Sequence, residues 1–414
     1  MRGGDKSGGT SQDIRPNLGE PGFHGDLLSF KIVQDSINGP IRLEEGIERI
    51  VDDQSFQRLR YVKQLGLTNL VYPGANHSRF EHSLGSMFLA GEFAEHFSLP
   101  RRSELEIAAL LHDIGHTPFS HSFEQYFKQK TGMSHEDAGL AIIRGETPFE
   151  NSSIPALIEE TGADLKFVTG ILQKKPGSKA YSRIVSGPLD SDELDYVRRD
   201  AYYCGVSVGF VDYRRVINTV VLRKDQILAE EKGIPALENV SVARIQMYRT
   251  VYWHKTARIA QGMFQNALQL ADPDIPNPFV LRDDELVSIM VQDRKAGELV
   301  KSILARKLFK VHGRYPYTEE NFSKLKDLIS RTDLKDHEYI LDVIPPVDFV
   351  GSERVKSNIS VLVGSEEMPA GKVSPLIRAL EDTLENRTIV LSVSGLRADS
   401  LPASLDERKF RKAS

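Results

Sequence analysis

The sequence predicts a mainly α fold, with a helical core, a small N-terminal β-hairpin and a C-terminal α+β subdomain. Apolar residues recur at helical spacing up to about residue 276. A short alternating stretch with a turn signal precedes them, and strand-like runs follow them. The length of 414 residues exceeds the usual size of one hydrophobic core, which also predicts subdomains.

The N-terminal part predicts a tail and a hairpin. Residues 1–25 are glycine-rich and polar and cannot bury enough surface to offset the entropy of ordering, so we expect a flexible tail. The stretch SFKIVQDSINGPIRLEEGIER alternates apolar and polar residues around Asn38-Gly39-Pro40, which is typical of a hairpin. Residues 26–276 then form the predicted helical domain.

Helical and strand patterns define the remaining segments. The tetrapeptide SHED, starting at Ser134, matches a capping box that begins a helix. Within 277–398, the runs HEYILDVI, SNISVLV and RTIVLSVSG alternate with the helical VSPLIRALEDTLE, which predicts an α+β subdomain. Residues 399–414 contain DERKFRKAS and predict a solvated basic tail.

Composition narrows the function classes. The chain is 40% hydrophobic and 27% charged, so general disorder is excluded, and no apolar run reaches the ~18 residues of a membrane span. The N-terminus lacks a secretory h-region, so we expect a cytoplasmic protein without membrane contact. The net charge of −5 gives no overall basic field, which leaves nucleic acid a less favoured partner. The single cysteine leaves His, Asp and Glu as candidate metal ligands.

The stretch LLHDIGHTPFSHSFE carries an unusual density of histidine within apolar residues. His112 and Asp113 are adjacent and diverge by about 100° on a helix, so they can share an ion only near the helix end, before Gly115. His82 lies on the apolar helix upstream, which packing can bring close to this motif. Asp192 is a fourth candidate ligand, from LDSDELDYVRRD, where it shares a helix face with two further polar residues.

These candidates predict a metal site. Two imidazoles and two carboxylates suit iron, manganese, zinc or nickel. The alternative is that the histidines are satisfied core residues and the carboxylates a solvated face. Burying His112, Asp113 and His116 together would cost several kcal/mol unless they are paired or coordinated, which favours the metal.

The motifs RFEHSLG, LLHDIGHTPFSH and DSDELDYVRRDAYYCG resemble the H…HD…D pattern of the HD-domain phosphohydrolases. More narrowly, residues 31–266 resemble the deoxynucleoside triphosphate (dNTP) triphosphohydrolase branch, which includes the mammalian SAM-and-HD-domain enzyme, although no SAM domain is expected here. The resemblance implies an HD-domain helical core and hydrolysis of a dNTP to a deoxynucleoside and tripolyphosphate. Mg²⁺ would accompany the substrate phosphates.

The resemblance also implies roles for individual residues. The metal ligands it implies are the four named above. The implied catalytic residues are His116, His121, His135 and Glu124. The implied substrate contacts are Gln64 and Leu65 at the deoxyribose edge, Tyr196, Asp200 and Tyr252 around the sugar, and Arg79, Arg244 and Tyr248 in the phosphate pocket. Two positions depart from the mammalian enzyme, because Glu193 replaces a lysine and Tyr248 a histidine, and a carboxylate disfavours polyphosphate unless Mg²⁺ intervenes.

Regulation is a further implication of the resemblance. It suggests GTP or dGTP as an activator and a homo-oligomer, dimer or tetramer. The implied activator contacts are Asp52, Gln57 and Arg60 for the guanine nucleotide and Lys31, Asp212, Arg215 and Lys255 for its phosphates. The alternative is that DDQSFQRLR is the polar face of an ordinary helix.

The sequence leaves three candidate functions. The leading one is the metal-dependent dNTP triphosphohydrolase. The second is an HD phosphodiesterase or nucleotidase that acts on monophosphates, cyclic nucleotides or single-stranded nucleic acid. The third is a non-catalytic nucleotide sensor or nucleic-acid-binding module.

Overall fold

The computed structural model covers the predicted hairpin, the helical core and most of the C-terminal subdomain. The predicted flexible tail, 1–25, lies outside the described residues, and so does most of the predicted basic tail, 399–414. The described residues are 30–344, 359–382 and 387–395, together with 401, 405, 407 and 410.

The described chain begins with the predicted hairpin. Strands β1 (Phe30–Asp35) and β2 (Gly39–Glu44) pair antiparallel. The Asp35 carboxylate accepts hydrogen bonds from the backbone N–H groups of Ile37 and Asn38, at 3.1 and 2.7 Å, and so closes the turn. The hairpin thus ends with a buried carboxylate that faces the helical core.

A helical core follows the hairpin, as predicted. Its helices are α1 (Ile47–Asp52), α2 (Gln54–Gln57), α3 (Arg79–His96), α4 (Arg102–Leu111), α5 (Glu124–Thr131), α6 (His135–Arg144), α7 (Ile154–Glu160), α8 (Leu165–Leu172), α9 (Lys179–Val185), α10 (Ser191–Cys204) and α11 (Tyr213–Ile217). Helix α3 packs against both α4 and α10. Gly85 of α3 permits the close approach of α10, because a Cβ at this position would lie 1.9 Å from Oδ1 of Asp195.

Local sequence signals determine where several of these helices begin and end. The predicted capping box at Ser134 is confirmed, since its Oγ accepts the Asp137 N–H at 3.1 Å and its own N–H donates to the Asp137 carboxylate at 3.0 Å. Helix α10 begins after Asp190, which accepts the Glu193 N–H at 2.6 Å. It ends at Gly205, whose φ of 66° suits glycine.

The second half of the described chain mixes helices and strands. Its elements are β3 (Val220–Arg223), β4 (Gln226–Glu230), α12 (Ile234–Met247), α13 (Lys255–Ala271), α14 (Asp283–Gln292), α15 (Gly297–Leu304), β5 (Lys310–Pro316), α16 (Glu319–Ser330), β6 (Tyr339–Ile344), β7 (Ser360–Val363), β8 (Glu366–Pro369), α17 (Ala370–Val373), α18 (Pro375–Asp382) and β9 (Thr388–Val393). A π-helical turn, Tyr248–Tyr252, joins α12 to α13. The strands form one sheet of order β3-β4-β7-β8 and another of order β5-β9-β6.

The predicted boundary at 276/277 does not coincide with a break in the hydrophobic core. Strand β4 pairs parallel with β7, and Val361 and Ile377 are buried in the same core as the helices of the first half. The β3–β4 hairpin itself lies inside the segment predicted to be helical. Its turn residues Lys224 and Asp225 both have positive φ, of 47° and 60°, which is typical of a tight hairpin turn.

Two residues of the C-terminal tail are buried, so the prediction of a solvated tail is wrong for them. Leu405 and Phe410 are buried against the β5-β9-β6 sheet. The Leu405 carbonyl accepts the Tyr315 hydroxyl at 2.8 Å, and the Phe410 ring lies 4.6 Å from the Tyr315 ring. The prediction of a wholly solvated segment overlooked these apolar residues because the surrounding charges dominate its composition.

Candidate metal centre and active site

The four predicted metal ligands lie together, where three helix ends meet. His82 is in the first turn of α3, His112 and Asp113 directly follow α4, and Asp192 is in the first turn of α10. Nε2 of His82 lies 3.0 Å from Oδ1 of Asp192 and 3.6 Å from Oδ2 of Asp113. Nε2 of His112 lies 3.3 Å from Oδ1 of Asp113 and 3.8 Å from Oδ1 of Asp192. We call these four residues the ligand cluster.

Both imidazoles of the ligand cluster are oriented by hydrogen bonds at Nδ1. His82 Nδ1 contacts the Asp195 carboxylate at 2.9 Å, and His112 Nδ1 contacts the Ala109 carbonyl at 2.7 Å. In the neutral ring these acceptors place the proton on Nδ1, so the lone pair is on Nε2, where a metal ion can take the place of a second proton. In the part of the chain that the structure describes, neither Nε2 makes a hydrogen bond of ordinary geometry, although both atoms are buried.

The cluster fits a divalent metal ion. Candidate ligand atoms of His82, His112 and Asp113 all lie within 4.8 Å of one another. Burial opposes a charge on His82, yet Asp192 and Asp195 outweigh it and raise the pKa of His82 to about 10. This electrostatic preference for a cation at Nε2, together with the unbonded lone pairs, matches a borderline-to-hard ion held by imidazole and carboxylate.

Asp113 connects the ligand cluster to neighbouring basic side chains. Its Oδ2 pairs with Arg79 Nη1, and its Oδ1 lies 3.2 Å from His116 Nε2. Burial disfavours the ionised carboxylate, but Arg79, His112 and His116 hold the pKa of Asp113 well below its usual range. Arg79 Nε also donates to Ser120 Oγ at 2.6 Å, so this predicted phosphate contact is held at the edge of the ligand cluster.

The predicted catalytic residues also lie together, and we call them the histidine cluster: His116, His121, His135 and Glu124. The rings of His116 and His135 stack with centroids 4.0 Å apart, and His121 packs edge-on against His116 at 4.6 Å. Glu124 contacts Nδ1 of both His121, at 3.1 Å, and His135. Close packing of α6 places His135 here, because Gly115 leaves no Cβ between the motif and that helix.

Electrostatics differ across the histidine cluster. Burial, Arg79 and His135 lower the pKa of His116 well below its ordinary value, which favours its neutral form. Burial lowers the pKa of His121 as well, partly offset by Glu124. Burial raises the pKa of Glu124, but hydrogen bonds from His121 and His135 outweigh this and lower it overall, so Glu124 is an anion that can accept from both rings.

The predicted sugar-pocket residues form a hydrogen-bonded group. The Tyr252 hydroxyl donates to Asp200 Oδ2 at 2.6 Å, and His77 Nε2 contacts the other oxygen at 2.7 Å. Tyr252 also packs edge-on against Tyr196 and Tyr248, with centroids 6.4 and 5.0 Å apart. Tyr196 and Asp200 lie about one and two helical turns along α10 from Asp192, on the helix face that the sequence predicted them to share, so this pocket adjoins the ligand cluster.

The remaining predicted substrate contacts are Arg244, Gln64 and Leu65. Glu193 Oε1 lies 3.2 Å from Arg244 Nη1, so the carboxylate that replaces the mammalian lysine is paired with the arginine predicted to contact phosphate. Gln64 is held by its backbone N–H to the His77 carbonyl at 3.0 Å, and its Oε1 is buried without a hydrogen bond to any described residue. Leu65 packs against the main core.

The predicted activator residues form separate local pairs. Lys31 Nζ contacts Asp52 at 2.8 Å, and Arg60 Nε contacts Gln57 Oε1 at 2.7 Å. Asp212 accepts the Arg215 N–H at 3.0 Å at the start of α11, and Lys255 is the exposed first residue of α13. None of the contacts seen in the described part of the chain joins these groups, so their joint role stays a prediction.

Sequence reasoning missed residues that support the two clusters. Arg199 binds Asp195 and Asp35, and Arg58 donates to the carbonyls of Ile114 and His116 at 2.9 and 2.8 Å. The spacing of four between Asp195 and Arg199 in DELDYVRRD was an available signal, because such residues face each other on a helix. For Arg58 the local pattern offers none, since its partners lie more than fifty residues away.

Two family models match this chain. Residues 79–164 match the HD domain and residues 211–393 match the HD associated region. A crystal structure of a hypothetical protein from Aquifex aeolicus superposes with a TM-score of 0.77 at 32% identity, over 90% of this chain and 98% of that chain. None of the helices within the described ranges combines the length and apolarity that a bilayer-spanning segment needs.

The match to curated relatives extends over a smaller share of each relative's length. An uncharacterised protein of Methanocaldococcus jannaschii is 38% identical over 70% of this chain and 61% of its own. The deoxynucleoside triphosphate triphosphohydrolase SAMHD1 of Homo sapiens is 30% identical over 78% of this chain and 63% of its own. This chain therefore spans less than two thirds of either protein. With the HD motif at the ligand cluster and the associated region after it, the chain belongs to the HD-domain family.

Proposed function

We propose that the protein is a metal-dependent dNTP triphosphohydrolase, which converts a dNTP and water to a deoxynucleoside and tripolyphosphate. The observation that carries the proposal is that the ligand cluster and the histidine cluster share one contact, Asp113 Oδ1 to His116 Nε2 at 3.2 Å. A polar pocket built on Asp200 and Tyr252 adjoins them. The human relative that bears this activity in its name supports the choice of substrate.

The ligand cluster would hold iron, manganese, zinc or nickel through His82, His112, Asp113 and Asp192. When bound, such an ion supplies Lewis-acid polarisation of a phosphoryl oxygen and lowers the pKa of water. Arg79 and His116 both contact Asp113. We assign them to the α-phosphate, where a fixed positive charge and a neutral imidazole stabilise the developing charge without reorganisation.

The reaction needs a proton for the departing oxygen. The attacking water loses a proton to solvent and its oxygen forms a bond to the α-phosphorus. The bond from that phosphorus to O5′ breaks, and O5′ takes up a proton. We assign this proton to His135, because the contact of its Nδ1 with the Glu124 carboxylate fixes the orientation of the ring. His121 shares Glu124 and either assists or orders water.

Recognition of the substrate sugar is assigned to the pocket beside α10. Asp200 and Tyr252 offer a carboxylate and a hydroxyl to the sugar, and Gln64 has an unsatisfied buried Oε1. The Gln64 Oε1, which has no hydrogen-bond partner among the described residues, selects a substrate donor strongly because it remains unpaired without one. Mg²⁺ on the substrate phosphates would offset the Glu193 carboxylate, which lies beside Arg244.

The test is product analysis. The purified protein is incubated with each dNTP and Mn²⁺, and the phosphate product is identified by ion-exchange chromatography and ³¹P spectroscopy. Tripolyphosphate released with the deoxynucleoside supports the proposal, and an Asp113→Ala variant should release none. Inorganic phosphate or a nucleoside monophosphate would instead indicate the HD phosphodiesterase or nucleotidase, and binding without turnover would indicate a sensor.

A further inference from the structure

A chain of buried charged residues runs from His82 to the N-terminal hairpin. Asp195 Oδ2 lies 2.9 Å from His82 Nδ1, and both side chains are almost fully buried, with 0% and 1% exposed. Arg199 donates to the same carboxylate from Nε at 2.7 Å and from Nη2 at 2.9 Å. The buried Asp195 carboxylate therefore accepts two hydrogen bonds from Arg199 and one from His82, with a donor at each of its oxygens.

This arrangement determines which nitrogen of His82 carries the proton. A carboxylate held by arginine is ionised and can only accept, so the His82 proton must lie on Nδ1. The other nitrogen, Nε2, then presents its lone pair to Asp113 and Asp192. A carboxylate behind a ligating imidazole also raises the basicity of the ring, which strengthens its bond to a cation.

The hairpin completes the chain of contacts. Arg199 Nη1 and Nη2 donate to the two oxygens of Asp35, at 2.8 and 3.2 Å, from the side opposite Asp195. Asp35 is itself fixed by the turn of the hairpin. Asn38, in that turn, reaches Asp195 Oδ1 with its Nδ2 at 3.4 Å. The side chains have a net charge of −1, from two carboxylates, Asp35 and Asp195, and one guanidinium, Arg199. This negative charge lies behind His82 and favours a cation in the ligand cluster.

We propose that Asp195 is the positioning residue of the metal ligand His82 and that the N-terminal hairpin, through Asp35 and Arg199, is part of the support of the metal centre. The inference rests on the metal-binding part of the proposed function and not on the identity of the substrate. Helices α3 and α10 are in close contact around the Asp195 carboxylate, since a Cβ at Gly85 would lie 1.9 Å from Asp195 and 2.5 Å from Arg199. This contact leaves the Asp195 side chain little room to adopt another orientation. The hairpin thus affects metal affinity without touching a ligand.

The experiment measures metal binding without substrate. The full chain, stripped of metal, is titrated with Co²⁺ in competition with a chelating indicator, and the visible d–d spectrum of the bound ion is recorded. Variants are Asp195→Asn, Asp35→Asn and Arg199→Lys. The control is Asp342→Asn, which breaks a comparable carboxylate–arginine pair with Arg258, at 2.6 Å, between α13 and β6. Folding of each variant is checked by circular dichroism and thermal unfolding.

The expected results differ between variants. Asp195→Asn should weaken Co²⁺ binding by about 10- to 100-fold and change the spectrum, the usual effect of losing a carboxylate behind a ligating histidine. Asp35→Asn and Arg199→Lys should weaken binding by a smaller factor, and Asp342→Asn should lower only the unfolding temperature. A folded Asp195→Asn protein with the wild-type affinity and spectrum would overturn the assignment.

Two further outcomes are decisive. If Asp195→Asn does not fold, the other two variants decide, and wild-type affinity in both would overturn the proposal. If Asp195→Asn binds weakly but Asp35→Asn matches the Asp342→Asn control, the role of the hairpin is refuted. Because no nucleotide is present, these results are independent of whether the wild-type protein hydrolyses a dNTP.

Discussion

Oδ1 of Asp113 lies 3.2 Å from Nε2 of His116, while Oδ2 of the same carboxylate pairs with Arg79. One buried side chain therefore belongs to the ligand cluster and also orients the histidine cluster. Substitutions in either cluster must be tested by metal content and by turnover separately, because a change in one alters the charge environment of the other.

Removal of a predicted ligand should abolish metal binding and turnover together. In His82→Ala or Asp113→Ala, the remaining ligands cannot hold the ion and a buried partner is left unpaired. Metal content by atomic spectroscopy and dNTP hydrolysis are measured on the same preparations. The control is His96→Ala, on the same helix, whose Nε2 contacts the Val220 carbonyl at 2.9 Å, away from the ligand cluster. Wild-type metal content and turnover in either ligand variant would contradict the site assignment.

Loss of the proposed acid should slow the reaction without loss of metal. His135→Ala removes the ring that Glu124 holds, and a general acid contributes ~10²- to 10⁴-fold. Glu124→Gln should slow turnover as well, because a neutral amide replaces the carboxylate that contacts the rings of His135 and His121. Single-turnover rates and metal content are measured together. A His135→Ala rate within about threefold of wild type would remove the acid role.

Gly115 and Gly139 lie on the two sides of the contact between the HD motif and α6, and substituting each by alanine tests how close that contact is. A Cβ at Gly115 would lie 2.2 Å from the His135 carbonyl and 2.3 Å from the Gly139 nitrogen, whereas a Cβ at Gly139 would be no closer than 3.6 Å to its neighbours. We expect Gly115→Ala to destabilise the protein by roughly 2 kcal/mol or more, because backbone atoms must move. Gly139→Ala should stay within about 1 kcal/mol of wild type. Urea unfolding measures both, and equal effects would contradict the close contact.

Glu193 should reduce the affinity for a triphosphate. In Glu193→Gln the charge of Arg244 is no longer balanced by this carboxylate, and the repulsion of substrate phosphates decreases. We expect the KM for a dNTP to fall roughly three- to tenfold, about 1 kcal/mol, with a weaker dependence on Mg²⁺. Glu298→Gln, which removes an exposed pair with Lys301, is the control. An unchanged or higher KM in Glu193→Gln would refute this role.

Activation by a second nucleotide is the prediction that rests least on contacts between the described residues. If GTP or dGTP binds between subunits, it should raise dNTP turnover sigmoidally and increase the oligomer size in light scattering, because a ligand shifts an equilibrium only through differential affinity. Arg60→Ala should blunt the stimulation and leave metal bound. Arg49→Ala, which breaks an exposed pair with Glu160 on nearby helices, should not. Hyperbolic kinetics from a monomer, insensitive to any added nucleotide, would contradict the prediction.

The residues that local chemistry governs could be identified from the sequence. The hairpin turn at Asn38, the capping box at Ser134 and the adjacent pair His112 and Asp113 follow from short-range patterns. Turn geometry, helix caps and the cost of burying polar groups all act within a few residues. The helical core was predictable for the same reason, since apolar periodicity is a local property. The resemblance to HD-domain proteins added His116, His121, His135 and Glu124, which the structure places side by side.

Only the tertiary structure decided how these pieces meet. His82 and Asp195 are 113 positions apart, and Arg199 and Asp35 are 164 positions apart, so no local pattern links them. The parallel pairing of β4 with β7, which brings Val361 into the main core, is equally long-range. Periodicity shows which face of a helix is apolar but not which other face it packs against, because that depends on the packing of the whole chain. The sequence by itself therefore determined the helices and the ligand types, and the packing of α3, α4 and α10 determined the partners that orient them.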